Sequence, residues 1–173
     1  MQRCAWVSSD PIYIAYHDNE WGKPVIGEDA LFERISLEGF QSGLSWLTIL
    51  KRREGFREAF LGFEIDKVAK MTEKDVERLL LNEGIIRHRG KIQAVINNAR
   101  IMKEQNLSLQ ELLLKHTPTE DRTGLTLSPE STALSKELRK LGFNFVGPTT
   151  MHAMMQAIGV IYDHDQTCEF RKN

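Results

Sequence analysis

The chain has 173 residues, of which 41% are hydrophobic and 27% are charged, and its formal net charge is −1. This length suits one domain spanning 1–173, which buries about 70% of the unfolded chain's surface without disulfide staples. No run of apolar residues approaches the ~18 needed to cross a bilayer, and no apolar signal segment follows Met1. We therefore expect a cytoplasmic protein that does not associate with membranes. We also expect it to be a monomer.

Helical periodicity and capping residues recur along nearly the whole chain, and no alternating strand pattern of useful length is present. The first helix is predicted to follow Asp10-Pro11, because an aspartate N-cap and a proline at the first helical position both favour initiation. Capping boxes at Thr72 and Ser108 mark two later starts. The further predicted helices are 28–41, 45–60, 73–82, 91–102, one after Ser108, 129–141 and 149–158. The pattern predicts an all-α bundle of about seven to nine helices, with a loop over 117–129.

The distribution of charge along the chain is uneven. Residues 1–46 hold three basic and seven acidic side chains, whereas 84–103 holds five basic side chains and no acidic one. A local basic surface on a nearly neutral protein suits contact with nucleic acid. A solvated helix face explains the same pattern equally well.

Two cysteines, Cys4 and Cys168, lie near opposite ends of the chain, and each has a histidine close to it in sequence, His17 and His164 respectively. Two thiolates and two imidazoles in a closed tetrahedral shell form a set that zinc prefers. One structural zinc ion bound by these four ligands would hold the two ends of the chain together. Two unrelated buried cysteines and two ordinary histidines are the alternative. A disulfide between the cysteines is disfavoured, because nothing marks the chain as secreted.

Five of the six tryptophan and tyrosine residues fall within the first 46 positions: Trp6, Tyr13, Tyr16, Trp21 and Trp46. Aromatic rings at this density either form a core or line a stacking pocket for a flat ligand such as a nucleobase. Glu38 favours the pocket, because its spacing from Leu31 and Ile35 puts the carboxylate on the apolar face of the predicted helix 28–41. A buried carboxylate usually serves a ligand, a cation or catalysis. A glutamate at the edge of that face, reaching solvent, is the alternative.

The segment 138–150 predicts two helices joined by a short turn that contains Gly142 and Gly147, the pattern of a helix-hairpin-helix. Gly147 allows close approach of the backbone, and the free N–H groups that open the second helix, at Thr149, can hold a phosphate. With the turn at Gly43-Leu44, these residues are the predicted DNA contacts.

Taken together, several motifs resemble the DNA-3-methyladenine glycosylase I family over essentially the whole chain. They are Arg3-Cys4-x-Trp6-Val7, Asp10-Pro11-x-Tyr13-x-x-Tyr16-His17-Asp18-x-Glu20-Trp21-Gly22, Leu37-Glu38-x-x-Gln41-x-Gly43-Leu44-Ser45-Trp46, the stretch 84–92, Gly142-Phe143-x-Phe145-Val146-Gly147 and Asp163-His164-x-x-x-Cys168. The resemblance implies a helix-hairpin-helix glycosylase of base excision repair that hydrolyses the N-glycosidic bond of 3-methyladenine in alkylated double-stranded DNA and releases the free base. It places zinc on Cys4, His17, His164 and Cys168. It also places the base pocket on Glu38, Tyr16 and Trp46, within a shell of Trp6, Tyr13 and Trp21, and we assign catalysis to Glu38 and Tyr16.

Three features depart from the family or from its wider superfamily. Pro148 and Thr149 stand where lyase-type relatives carry a lysine nucleophile, so we expect the base to be removed without strand cleavage. No residue clearly matches the superfamily's catalytic aspartate, since Asp163 lies beside a predicted metal ligand. The segment 103–131 is shorter than is usual and lacks an aromatic-rich helix.

Two other classes of function stay open on the sequence. A non-catalytic, zinc-stabilised DNA-binding protein would keep the hairpin and the metal ligands but would need neither Glu38 nor the aromatic shell. A redox-sensing metal protein would expose its ligands to solvent.

Overall fold

The computed structural model describes residues 1–172, so Asn173, the last residue of the predicted domain, lies outside the described residues. Over this range the chain forms ten α-helices and one 3-10 helix, with no β-strand. The helices are α1 Pro11–Asn19, α2 Glu28–Gln41, α3 Trp46–Lys51, α4 Arg53–Ala59, a 3-10 helix Leu61–Phe63, α5 Ile65–Val68, α6 Glu73–Leu79, α7 Arg89–Glu104, α8 Leu109–Lys115, α9 Pro129–Leu141 and α10 Pro148–Ala157. The all-α prediction is confirmed. None of these helices combines the length and the apolar character that a bilayer crossing requires.

Capping residues start the helices where the sequence predicted. The Asp10 carboxylate accepts the N–H of Ile12 at 2.9 Å. Thr72 and Asp75 form the reciprocal capping box of α6. Each side chain takes up an N–H group that has no partner within the helix, which fixes where the helix begins.

Helix α8 begins at Ser108 with help from a distant side chain. The Ser108 hydroxyl accepts the N–H of Glu111 at 3.1 Å, while the Glu28 carboxylate accepts the N–H of Leu109 at 2.8 Å. Glu28 opens α2, so this contact attaches the short segment 103–131 directly to the central helix.

The prediction of one continuous helix over 45–60 is wrong. The structure divides it at Arg52, whose φ of −106° and ψ of 2° leave the helical region, so that α3 and α4 are separate helices. The Arg52 guanidinium donates to the carbonyl of Glu83 at 2.9 Å, and the change of direction packs Phe56 against Phe40 with ring centroids 4.6 Å apart. This break and short helices such as α5 raise the number of helices above the predicted range.

Helix α2 lies at the centre of the molecule and contacts α3, α7, α8 and α10. Its residues 35–40 are all buried, including Ser36 and Glu38. A helix buried around its circumference cannot turn a charged residue toward solvent, which fixes Glu38 inside the protein. Helices α9 and α10 pack against each other and place α10 beside α2.

Candidate active site and metal centre

A cavity of about 200 Å³ lies between the N-terminal segment and helices α1, α2, α3 and α10. The six residues predicted for the base pocket all line it: Trp6, Tyr13, Tyr16, Trp21, Glu38 and Trp46. The sequence did not predict the other lining residues: Gln41, Ala153, Gln156, Ala157 and Asp163. The structure therefore joins side chains from both halves of the chain in one site.

The aromatic walls are arranged edge to face and tilted rather than stacked on each other. Trp6 is central, with its ring centroid 5.0 Å from that of Tyr13 and 5.1 Å from that of Trp21. Tyr16 and Trp46 lie 5.7 Å apart with an interplanar angle of 51°. Rings packed in this way hold one another in place. They leave room for a flat ligand to stack against a free ring face.

Glu38 is 5% exposed, and its Oε2 has no hydrogen-bond partner among residues 1–172. The indole Nε1 of Trp46 is also buried without a partner in this part of the chain. Burial raises the pKa of Glu38 to about 8, against the opposing field of Arg34. Unpaired buried polar atoms cost free energy, and both of these belong to residues that line the cavity, where a ligand could supply the missing partners.

An ionic network lies behind Tyr16. The Arg34 guanidinium sits 5.9 Å from the centroid of the Tyr16 ring and donates to Glu20 at 3.1 Å. Arg53 donates to the same carboxylate at 2.7 and 2.9 Å. Burial is the main reason that the pKa of Tyr16 is raised, with the charge of Glu38 adding to it, so the phenol stays protonated at neutral pH.

Asp163 lies on the cavity wall, although the sequence analysis gave it no role. Its carboxylate accepts the side-chain N–H of Gln156 and the backbone N–H of Gly124, each at 2.6 Å. Burial raises the pKa of Asp163. Asp163 and His164 are neighbours in sequence, but the structure places Asp163 on the cavity wall and His164 in the cysteine–histidine cluster.

The four predicted metal ligands, Cys4, His17, His164 and Cys168, are all buried, and their ligating atoms lie within 4.8 Å of one another. Both cysteines are free, so the alternative disulfide is not formed. Nδ1 of His164 lies 3.4 Å from the sulfur of Cys4 and 3.5 Å from that of Cys168, and Nε2 of His17 lies 3.5 Å from the sulfur of Cys168. A tetrahedral shell with bonds of about 2.0 Å to nitrogen and 2.3 Å to sulfur separates N and S by about 3.5 Å. The donors therefore fit such an ion.

Groups outside the ligand set orient it. Nδ1 of His17 contacts Asp18 at 2.8 Å, which leaves Nε2 to face the cysteine. The Arg3 guanidinium beside Asp18 lowers the pKa of that carboxyl to about 2. Burial raises the pKa of the Cys4 thiol to about 12, so a cation must displace its proton. The ring of His17 also packs 5.3 Å from that of Trp6, which connects the metal centre to the cavity.

The residues predicted to contact DNA lie on two surface turns. Gly43, with φ of +79°, and Leu44, which is 39% exposed, follow α2. Gly147 is the N-cap of α10, and Thr149 is exposed in its first turn. The basic stretch 84–103 contributes less free positive charge than the sequence suggested, because Lys91 is buried and Arg89 pairs with two glutamates.

Comparison with known proteins agrees with this arrangement. The family model of methyladenine glycosylase matches residues 6–172. The chain belongs to that family. It is 52% identical over 179 aligned positions to DNA-3-methyladenine glycosylase 1 of Escherichia coli strain K12, covering 97% of this chain and 96% of that protein. It is 44% identical over 177 positions to DNA-3-methyladenine glycosylase of Haemophilus influenzae, covering 96% of each.

Solved structures of the family share the fold along the full chain. A crystal structure of 3-methyladenine DNA glycosylase I superposes with a TM-score of 0.93 at 48% identity, covering 99% of this chain and 100% of that one. The enzyme from Staphylococcus aureus, described for its recognition of 3-methyladenine, gives a TM-score of 0.90 at 36% identity, covering 100% of this chain and 98% of that one. Both the family and the fold are thus assigned.

Proposed function

We propose that this protein is a monofunctional DNA glycosylase that excises 3-methyladenine from alkylated double-stranded DNA by hydrolysing the N-glycosidic bond, within a single domain and as a monomer. The observation that carries the proposal is the buried, unpartnered carboxylate of Glu38 in an aromatic cavity. Family membership supports it, since the relatives named above are 3-methyladenine glycosylases.

The chemistry demands little from the protein. Methylation at N3 makes adenine cationic in the nucleotide, so the base is already a good leaving group and its glycosidic bond is weak. The enzyme extrudes the nucleotide at a cost of a few kcal/mol, which is smallest for a damaged base. It then holds the base while water attacks a sugar with oxocarbenium character.

The pocket residues divide this task. Trp46 stacks on the cationic ring, a cation–π contact that strengthens when water is excluded. Glu38 accepts a hydrogen bond from the exocyclic amine and balances the positive charge. Tyr16, an un-ionised phenol, shapes the pocket and places a polar group near the edge of the base. Trp6, Tyr13 and Trp21 complete the shell.

The raised pKa of Glu38 gives the pocket its selectivity. Near neutral pH the carboxyl of the empty pocket is mostly protonated, because its pKa is about 8. A cationic base stabilises the carboxylate and displaces the proton, whereas neutral adenine does not offset the cost of ionising the buried carboxyl. The normal base is therefore bound less well than the methylated one.

The DNA backbone contacts the two surface turns in this proposal. The N–H groups at the start of α10, with Gly147 and Thr149, hold a phosphate as the second helix of a helix-hairpin-helix. Gly43 and Leu44 approach the duplex beside the pocket, since the same segment leads into Trp46. Pro148 and Thr149 supply no amine nucleophile, so the strand stays intact.

Zinc is the ion we assign to Cys4, His17, His164 and Cys168, with one ion per chain. When bound, it cross-links the two ends of the chain and supplies no catalytic step, because four protein ligands leave no position for water. His17 contacts Trp6, so a fixed imidazole also keeps this wall of the pocket in place. Burial of both cysteines argues against a redox-sensing metal protein, which would expose them.

Release of free 3-methyladenine from methylated duplex DNA tests the proposal. The purified chain is expected to liberate the base, detected by chromatography, and to leave strands that break only after alkali treatment. Binding to DNA without release of base would support the non-catalytic DNA-binding alternative instead. Strand breaks formed without alkali would contradict the monofunctional assignment.

A further inference from the structure

Helix α7 carries polar side chains that reach the backbone of two separate segments near the cavity. We call residues 42–45, which follow α2, the exit loop, and residues 142–147, which join α9 to α10, the hairpin turn. Lys91 and Asn98 are both buried, at 7% and 5% exposure, although their side chains are polar. Buried polar groups of this kind are kept where their hydrogen bonds fix a particular arrangement.

Lys91 holds the start of the exit loop. Its ammonium group donates to the carbonyl of Phe40 at 3.0 Å and to that of Ser42 at 2.6 Å. These carbonyls belong to the C-terminal end of α2, where a cation is favourable for the helix dipole and satisfies acceptors that lack intrahelical partners. The Lys91 charge is thus committed inside the protein and is not available to a phosphate.

Asn98 holds the hairpin turn. Its Oδ1 accepts the N–H of Asn144 at 3.1 Å, and its Nδ2 donates to the carbonyl of the same residue at 3.2 Å. One side chain thereby satisfies both backbone groups of Asn144. The neighbouring Asn97 donates to the carbonyl of Gly142 at 3.0 Å. Phe145 follows with φ of +58°, a strained conformation for a residue with a side chain, which persists only where surrounding contacts enforce it.

The hairpin turn also contacts α2 itself, the helix that leads into the exit loop. A Cβ added at Gly39 would lie 3.3 Å from the carbonyl oxygen of Phe145, so α2 passes directly against the hairpin turn. The exit loop leads into Trp46 of the pocket, and the hairpin turn ends at Gly147. The contacts of both segments with α7, and that of the hairpin turn with α2, therefore set the distance between the pocket and the start of α10.

We infer that Asn98 and Lys91 are positioning residues that hold the exit loop and the hairpin turn in the fixed relation needed to bind DNA with a base in the pocket. The inference rests on the proposed function, because it takes both segments as DNA contacts. Neither side chain touches the base. Loss of either side chain leaves one of these segments without its hydrogen bonds. DNA binding must then order that segment again, so affinity for DNA falls while affinity for the free base does not.

Asn98→Ala and Lys91→Met test the inference in three measurements well below the melting temperature. Affinity for a duplex with an abasic-site analogue is measured by anisotropy, affinity for free 3-methyladenine by quenching of tryptophan fluorescence, and kcat and KM by base release. The Kd for DNA and the KM are expected to rise at least about tenfold. The Kd for the free base and kcat are expected to stay within about twofold of the parent.

Arg100→Met is the matched control. Arg100 lies on the same helix and donates to the backbone carbonyls of Ala69 and Met71, away from both segments. The substitution removes one positive charge and hydrogen bonds of the same kind, as Lys91→Met does. It is expected to lower Tm while leaving the Kd for DNA within about twofold of the parent, since counterion release for one distant charge is small.

A fall in Tm with an unchanged Kd for DNA in Asn98→Ala and Lys91→Met would make both residues structural only and would overturn the inference. Should Asn98→Ala fail to fold, Asn98→Leu keeps the volume and removes the same two hydrogen bonds, and parent-like DNA binding by it overturns the inference equally. A parent protein that releases no 3-methyladenine would instead overturn the proposed function and the inference with it.

Discussion

Glu38 combines two properties that rarely coexist, a nearly complete burial and a carboxylate oxygen without a partner. In the proposed function, a bound base supplies the partner that this group lacks within residues 1–172. Within residues 1–172, no neighbouring side chain donates a hydrogen bond to this carboxylate oxygen. At the scale of single residues, this unsatisfied group is the strongest sign of a ligand site in the molecule.

Glu38→Gln tests the role of charge separately from shape. The amide keeps the size and most of the hydrogen-bonding capacity of the carboxylate, so we expect affinity for 3-methyladenine to fall by on the order of 1.5–3 kcal/mol, as for a hydrogen bond to a charged group. Excision should fall with it. Titration calorimetry and base release measure both effects.

Glu58→Gln is the control for this substitution, because it makes the same change of carboxyl to amide at an exposed position on α4. It should bind and excise as the parent does. Parent-like binding and excision by Glu38→Gln itself would mean that the carboxylate takes no part in recognising the base, and the assigned pocket would be wrong.

The pH dependence of stability offers an independent view of the same group. The pKa of Glu38 is about 8 in the folded protein and about 4.5 in the unfolded chain. The folded state therefore binds more protons between these values, and the contribution of Glu38 to stability is present below pH ~4.5 and is lost as pH rises through ~8. We expect Glu38→Gln to melt above the parent, with a difference in Tm that grows from pH 5 to pH 8. A difference that shrinks over this range would contradict the raised pKa.

Trp46→Ala should lose stacking with the base, at a cost of ~1–3 kcal/mol in affinity. The loss should be larger for excision of the cationic nucleotide than for binding of uncharged aromatic bases, because the cation–π contribution acts only on the cation. Trp46→Phe keeps a ring and should recover part of both. Equal losses in Trp46→Ala for cationic and neutral bases would show that the indole only fills space.

At the scale of secondary structure elements, two helices carry most of the functional arrangement. Helix α2 brings Glu38 into the cavity and ends at the exit loop, and α10 contributes Gln156 to the cavity wall and begins at the hairpin turn. Because α2 and α10 are in contact, their packing relates the pocket to the predicted phosphate site. The start of α10 does not line the pocket, so a change there can affect DNA binding without altering the pocket.

Gly147→Asp is expected to separate DNA binding from base binding. A carboxylate at the N-cap of α10 would occupy the space of a phosphate and repel it, so affinity for DNA with an abasic-site analogue should fall by at least about tenfold, while affinity for free 3-methyladenine persists. Gly147→Ala is the matched control. Its φ of −59° suits any residue, and the added Cβ would lie 3.4 Å from the Arg139 guanidinium, an ordinary contact. Parent-like binding of DNA by Gly147→Asp would rule out the hairpin as the phosphate clamp.

At the scale of the whole molecule, the four predicted metal ligands bring together segments that are more than 150 residues apart in sequence, such as Cys4 and His164, which are 160 residues apart. Closing a loop of this size reduces the conformational freedom of the unfolded chain substantially. A metal ion bound by these residues would also lie beside the pocket, because His17 contacts Trp6.

Protein purified without chelators is expected to contain one zinc per chain, measured by elemental analysis. Cys168→Ser should bind it weakly and should melt lower, by roughly 2–4 °C for each kcal/mol of stability lost in a chain of this size. A strong chelator should lower the Tm of the parent toward that of the variant, and added zinc should restore only the parent. Absence of stoichiometric metal in the parent would contradict the assignment.

Local patterns in the sequence determined much of this protein. Capping residues and apolar periodicity predicted most helices, since both act within a few residues along the chain. The spacing of Glu38 from Leu31 and Ile35 placed it on the buried face, and cysteine and histidine chemistry predicted the four side chains that the structure brings together. The break at Arg52 was missed, because it depends on a carbonyl from Glu83, far away in sequence.

Only the tertiary structure decided which distant groups meet. It brought Asp163 and Gln156 to the pocket wall, buried Lys91 against the end of α2, and joined Asn98 to Asn144. Sequence periodicity does not predict such contacts, because they depend on how helices pack and on which backbone groups are left unpaired where helices end. The raised pKa of Glu38 also depends on the tertiary structure, because residues from several helices converge around the carboxyl and exclude water from it.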